Sequence, residues 1–114
     1  MNLSSPRRKR LLSHKFTGKS ILVSQIIYKP IMITDFEIVD SPKNKGKKLL
    51  VAQVRWNDEG RTLTTPLMTE SYDLISTIQG TEDSLPHYTK IMRSKDKQYH
   101  FTELNNIEIQ SLKH

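Results

Sequence analysis

A mainly β fold, five strands with one short helix after the third, is what this 114-residue sequence predicts, and three observations carry it. Residues 47–69 alternate apolar and polar side chains at period two on either side of a turn, the pattern of a hairpin half-buried on one face. Residues 30–40 before it, and residues 87–93 and 97–104 after it, read as further strands rich in β-branched and aromatic residues. Only residues 69–80 join a capping signal to an apolar stripe at helical spacing.

Taken in order, residues 1–15 lack periodicity and hold the run Arg7-Arg8-Lys9-Arg10, so they read as a flexible basic arm. Such an arm suits phosphate contact through counterion release, or serves solubility alone. Residues 15–29 are apolar in their second half. Ile21, Leu22, Gln25 and Ile26 fit a helix, while Ile21, Val23 and Gln25 fit a strand, and so short a stretch leaves both open. Either form is expected to cover one end of a sheet. In the first long strand, residues 30–40, Met32, Thr34, Phe36 and Ile38 share one face and Asp35 and Glu37 the other, with Phe36 and Ile38 assigned to the core. Residues 41–47 form a loop in which Asn44 and Gly46 supply permissive backbone.

The central hairpin sets Leu50, Ala52, Val54 and Trp56 on an apolar face, and Val51, Gln53 and Arg55 on the other. Asn57-Asp58-Glu59-Gly60 breaks the run, and Gly60 provides a positive φ without steric cost. Residues 61–65 resume as a strand that Pro66 is expected to stop. In the helix, Thr69 or Ser71 caps the free N–H groups, Glu70 and Asp73 favour the positive end of the dipole, and Leu74, Ile75 and Ile78 form the buried stripe. Gly80 suits its left-handed C-terminal position. Residues 81–86 are a loop, and residues 94–96 turn the last two strands into a second hairpin. Residues 105–114 are a short extension that pairs briefly through Ile107 and Ile109 or frays.

Length allows one domain, placed at residues 16–104. Hydrophobic residues make up 35%, which predicts a small core. Cysteine is absent, which excludes a disulfide framework and a thiolate zinc site, and fits a cytoplasmic protein. No apolar run approaches the roughly 18 residues that a spanning helix needs. The net charge is +6. Four of the eighteen basic residues sit in the Arg7–Arg10 run, so fourteen face twelve acidic residues elsewhere, and any polyanion surface on the folded part must be a local patch. No glycine-rich phosphate loop and no HExxH motif is present, and the four histidines are dispersed, so neither an enzyme nor a cofactor or metal site is expected.

Strand, strand, strand, helix, strand, strand is the order of a five-stranded Greek-key barrel of the OB type, with the helix plugging one end. An SH3-like barrel and an open α+β sheet are the alternatives. Residues 16–104 also resemble small OB-fold single-stranded DNA-binding proteins of phages and mobile elements. The resemblance is carried by ITDFEIVDSPKNKGKKLLVAQVRWNDEGR, TESYDLISTIQ and LPHYTKIMRSKDKQYHFT. It implies single-stranded DNA binding in replication or recombination, largely independent of base sequence. Many bacterial-type members end in an acidic tail that recruits partners. This sequence ends Ser111-Leu112-Lys113-His114, so tail-mediated recruitment is not implied.

Single strands are held by cations that track phosphates and by rings on which bases stack. The cationic candidates are Lys43, Lys45, Lys47 and Lys48 on the first loop and Lys95 and Lys97 around the last turn, the two loops that OB domains use. Arg55 and Gln53 point away from the apolar face of the hairpin, and Arg61 follows its turn. These arginines bind phosphate or stack on bases, or else pair with Asp58 or Glu59. Trp56 is a base platform or a core residue. Tyr88 and Lys90 share the outward face of the fourth strand, and Tyr99 shares a face with Phe101, which is assigned inside. The expected partner is single-stranded DNA, with RNA or a docked protein as alternatives. A homo-oligomer, first of all a dimer, is expected because one barrel offers a short site. A protein partner would add a strand beside Leu49 and Val51, taken as exposed.

Overall fold

The structure is a computed structural model that describes Phe16 and residues 18–113. The basic run Arg7–Arg10 and the arm assigned to residues 1–15 lie outside the described residues. The element order is α1 (Val23–Ile26), β1 (Ile31–Asp40), β2 (Lys48–Asp58), β3 (Arg61–Thr69), α2 (Tyr72–Ile78), a 3-10 turn (Glu82–Ser84), β4 (His87–Arg93), β5 (Tyr99–Glu103) and α3 (Asn106–Lys113). The five strands form one antiparallel sheet in the order β3-β2-β1-β4-β5. Among the described residues β3 and β5 do not pair, so the sheet is open where a barrel would close.

One face of this sheet holds the core. Ile31, Ile33 and Phe36 of β1, Leu50, Ala52, Val54 and Trp56 of β2, Leu67 of β3 and Ile91 of β4 pack against Leu74, Ile75 and Ile78 of α2. The apolar face read from the hairpin is therefore the core face. The face of β1 changes along its length, because the register with β2 shifts between Ile33 and Asp35. Thr34 is the extra residue, exposed at the bulge. Ahead of it Ile31 and Ile33 point inward; behind it Phe36 and Ile38 do. Simple alternation had placed Met32 and Thr34 with Phe36, and one inserted residue reverses that.

The turn of the central hairpin is shorter than its polar run. Asp58 pairs with Arg61, leaving Glu59 and Gly60 at φ +50° and +84°, the left-handed pair that a twisted two-residue hairpin needs. Pro66 does not end β3, which continues to Thr69. Its carbonyl accepts from Ile21 N–H at 2.8 Å, on the side away from β2, so the missing proline N–H removes no bond to β2. Ile21 forms a parallel bridge to Leu67, and Tyr28 N–H donates to the Ile91 carbonyl at 2.9 Å. Residues 21–28 thus use both forms, one bridge residue and one helical turn, to span from β3 to β4 over the core. Leu22, placed with the apolar helical face, is instead exposed.

Ser71 caps α2 by accepting from Leu74 N–H, and Gly80 follows the helix at φ +84°, as the sequence predicts. Within the described residues the C-terminal extension is a helix rather than a paired or frayed strand. Asn105 Oδ1 accepts from Glu108 N–H at 2.8 Å, while Glu108 Oε1 accepts from Asn105 N–H at 3.0 Å, a reciprocal cap that starts α3. Leu112 of α3 is buried, and the helix lies against β2. Leu49 and Val51 are also buried, at 8% and 1% exposure, and β2 is an inner strand paired on both sides. The strand-adding edge expected there does not exist.

Candidate nucleic-acid interface

The loop at residues 41–47 is held by one carboxylate from outside it. Ser41 Oγ donates to Glu70 Oε2 at 2.5 Å, and Asn44 Nδ2 reaches both Glu70 oxygens at 2.7 and 2.9 Å. Ser41 Oγ in turn accepts from the backbone N–H groups of Lys43 and Asn44. The loop closes through Ser41 N–H to the Lys47 carbonyl and Lys47 N–H to the Asn44 carbonyl. Lys43, Lys45 and Lys47 stand exposed on this ordered backbone. The Ser41 hydroxyl first, then the Asn44 amide, with Lys47 and Lys43 adding, hold the Glu70 carboxyl below the usual glutamate value of 4.5.

That direction fixes a pH dependence. Glu70 binds its proton less readily folded than unfolded, so the latch is intact above the usual glutamate value and is lost as pH falls through the lower folded one. Protection of the Lys43 and Asn44 amides, their exchange measured against an unstructured chain at the same pH, is expected to fall across that acidic window. Glu70→Ala should give the same loss of protection at neutral pH while the core amides of β2 stay protected. Unchanged exchange in the variant would show that the loop holds itself.

The turn at residues 94–98 is built in the same way. Ser94 N–H donates to the Gln98 carbonyl, Lys97 N–H to the Ser94 carbonyl, and the Ser94 hydroxyl to the Asp96 carboxylate. Lys95 and Lys97 are exposed on it, with Lys97 at φ +68°. Tyr99 follows directly, half-buried against the core.

Pro42 and Lys43 of the first loop, and Tyr99 just after the second turn, line a single groove of about 430 Å³. Leu22, Leu49, Met68 and Tyr99 give it apolar walls, and Lys43 and Glu70 add polar groups. A flat ring of nucleobase size suits such walls, with lysines at hand for its phosphate. A smaller hollow, about 270 Å³, lies between α2 and β4–β5 beside Ile78 and Phe101. No lysine or arginine lines it, which leaves it outside the candidate interface.

The other predicted residues fall elsewhere. Lys48 opens β2 and is paired with Asp40 at 2.6 Å, both side chains exposed. Its ammonium holds the Asp40 carboxyl below its ordinary range. Arg61 stands at the hairpin tip, about 33 Å of strand from Lys48, and lies 4.0 Å from Asp58. That surface pair is worth about 0–1 kcal/mol. Trp56 is 6% exposed, its indole N–H donating to Thr65 Oγ1 at 3.0 Å, so the ring has no free face for a base. Gln53 and Arg55 lie half-buried on the outer face of β2, with Gln53 Oε1 and Arg55 Nε lacking partners. Tyr88 and Lys90 continue that outer face onto β4, where α3 meets them. Lys90 Nζ contacts Glu108 Oε2 at 2.8 Å, and Lys113 Nζ sits 5.8 Å from the centre of the Tyr88 ring.

Sequence reasoning did not find Glu70, Leu22 or Glu108 as parts of these surfaces. Glu70 was read only as a first-turn acid, and its partners lie 26 and 29 residues away, beyond any local signal. Glu108 had one, since Asn105 three residues before it forms a capping-box spacing.

Fold and site together define a small antiparallel-sheet domain with an apolar-walled groove beside its 41–47 loop and Tyr99. A family model described as a domain of unknown function, DUF8468, matches residues 17–102, and the chain belongs to that family. No curated protein and no solved structure matches it. Among the described residues there is no helix long and apolar enough to cross a membrane, and no group of three or more His, Cys, Asp or Glu side chains that could hold a metal ion.

Proposed function

We propose that this chain binds single-stranded DNA, with little preference for base sequence, in the groove between the 41–47 loop and the 94–98 turn. The observation that carries the reading is an apolar-walled groove lined by Lys43 of the 41–47 loop and by Tyr99, the residue after the 94–98 turn, with Lys45, Lys47, Lys95 and Lys97 exposed on those two ordered turns. Lysines supply the phosphate term, which dominates single-strand affinity, and Tyr99 with Leu22 supplies the surface for a base. Replication or recombination is the setting in which such a protein acts.

The same reading takes the sheet as an OB-type barrel left partly open. Support comes from β1, which pairs with both β2 and β4, and from a helix after β3 that touches both β2 and β5. A dimer would lengthen a site that is short in one chain, and light scattering with and without oligo-dT tests that step.

Titration with labelled oligo-dT, oligo-rU and duplex DNA tests the function. The reading expects dT to bind most tightly, with a log–log salt slope of about −0.7 per phosphate neutralised. Preference for rU would make the module an RNA binder. Binding to none of the three would leave the second reading, a protein-docking subunit. One observation favours that reading: the outer edge of β3 from Arg61 to Thr65 has no paired strand among the described residues.

A further inference from the structure

We propose that α3 is a removable cover on a second stretch of the nucleic-acid surface, the outer face of β2 and β4 that carries Arg55, Tyr88 and Lys90. The inference rests on the single-strand reading above and adds a control element to it. Three contacts hold the helix down. Glu108 pairs with Lys90, their side chains only 21% and 23% exposed. Asn57 Nδ2 donates to the Ser111 carbonyl at 2.8 Å. Lys113 lies over the Tyr88 ring, next to the buried Leu112.

Each contact engages a group that a single strand would use. Glu108 gives Lys90 one anionic oxygen at the distance a phosphate oxygen would take. Lys113 occupies the ring of Tyr88, where a base would stack. Arg55 Nε, a donor that a phosphate oxygen could satisfy, is buried on the same side of β2 with no hydrogen-bond partner, as are the acceptors Gln53 Oε1 and Glu37 Oε2 beside it. Of these, the Arg55 donor gains from a ligand that supplies an acceptor. The helix is also a weak clamp. It has eight residues, of which only Leu112 is fully buried, while Ile107 is 81% exposed. An isolated helix of this length is marginal, so tertiary contacts alone keep it in place. A polyanion on this face would compete with Glu108 for Lys90, and release of α3 would uncover the Tyr88 ring.

The test uses full-length protein and labelled oligo-dT over a salt series. Glu108→Gln is compared with the wild type, with Glu82→Gln, a matched loss of one negative charge on the 3-10 turn, and with the double variant Glu108→Gln/Lys90→Ala. Glu108→Gln is expected to bind about twofold to fivefold more tightly than Glu82→Gln. Its log–log salt slope should be steeper by about 0.7, one further phosphate, and both gains should vanish in the double variant. Asn57→Ala cuts the second tether without changing any charge, and it too should tighten binding.

Equal affinity and slope in the two single glutamate variants, a gain that survives loss of Lys90, or weaker binding by Asn57→Ala would each overturn the cover. If the wild type binds and Glu108→Gln gains nothing, the cover fails and the groove reading stands. If no form binds at any salt concentration, both fail.

Discussion

Replacing Lys43, Lys45 and Lys47 together with alanine is expected to weaken oligo-dT binding by up to about a hundredfold at about 0.1 M salt. The magnitude follows from counterion release. Each phosphate neutralised on a single strand contributes about 0.7 to the salt exponent, so three contribute about 2.1 and give about two decades at that concentration. The slope itself should flatten by the same amount. Stability should hardly move, because all three side chains are exposed and the loop backbone is fixed by Ser41, Asn44 and Glu70 rather than by the ammonium groups. Binding isotherms over a salt series, beside a thermal melt, check both halves. A triple variant that binds as tightly as the wild type would remove the loop from the interface. Equal losses of stability and affinity would mean that the loop is structural only.

The second large effect concerns Trp56. Trp56→Ala is expected to cost about 3–5 kcal/mol of folding stability, the usual range for emptying a buried indole site. The ring sits among Ile31, Val54 and Leu67 in one core cluster, and its N–H is satisfied by Thr65. Trp56→Phe keeps most of the volume and should fold, leaving oligo-dT affinity unchanged. A base platform would behave in the opposite way, losing roughly 1–3 kcal/mol of binding with little change in stability. Urea unfolding of both variants, together with dT titration of Trp56→Phe, separates the two roles.

Much of this fold could be read from the sequence because its elements are locally encoded. The period-two runs in β2, the 41–47 loop, the Ser71 cap and the Leu74-Ile75-Ile78 stripe each declare themselves within a dozen residues. Pro66 misled because a proline stops a strand only where its N–H is needed, and that depends on which side of β3 its neighbour lies. The inward face of β1 was misassigned because a bulge has no signature in alternation itself. Whether β3 and β5 meet depends on the curvature of the whole sheet, a property that no local pattern encodes.

The candidate site divides along the same line. The lysine-bearing turns were found because their residues are neighbours in sequence. The groove between them was not, since Leu22, Leu49, Met68 and Tyr99 come together only through the fold. Lys90 and Tyr88 were correctly placed on one outer face. What the sequence pattern could not reveal is that the chain's own C-terminal helix lies over that face, with Glu108 on Lys90. Pairings of this kind, 18 residues apart or more, set which cations are free for a ligand.

Amide chemical-shift mapping with unlabelled oligo-dT tests the central claim most directly. The account predicts the largest shifts at Lys43–Lys47, at Lys95–Tyr99 and around Leu22, with core amides such as Val54 and Ile91 unmoved. Shifts confined to the hairpin tip at Arg61 or to the free edge of β3, or no shifts at a dT concentration that saturates binding, would contradict it.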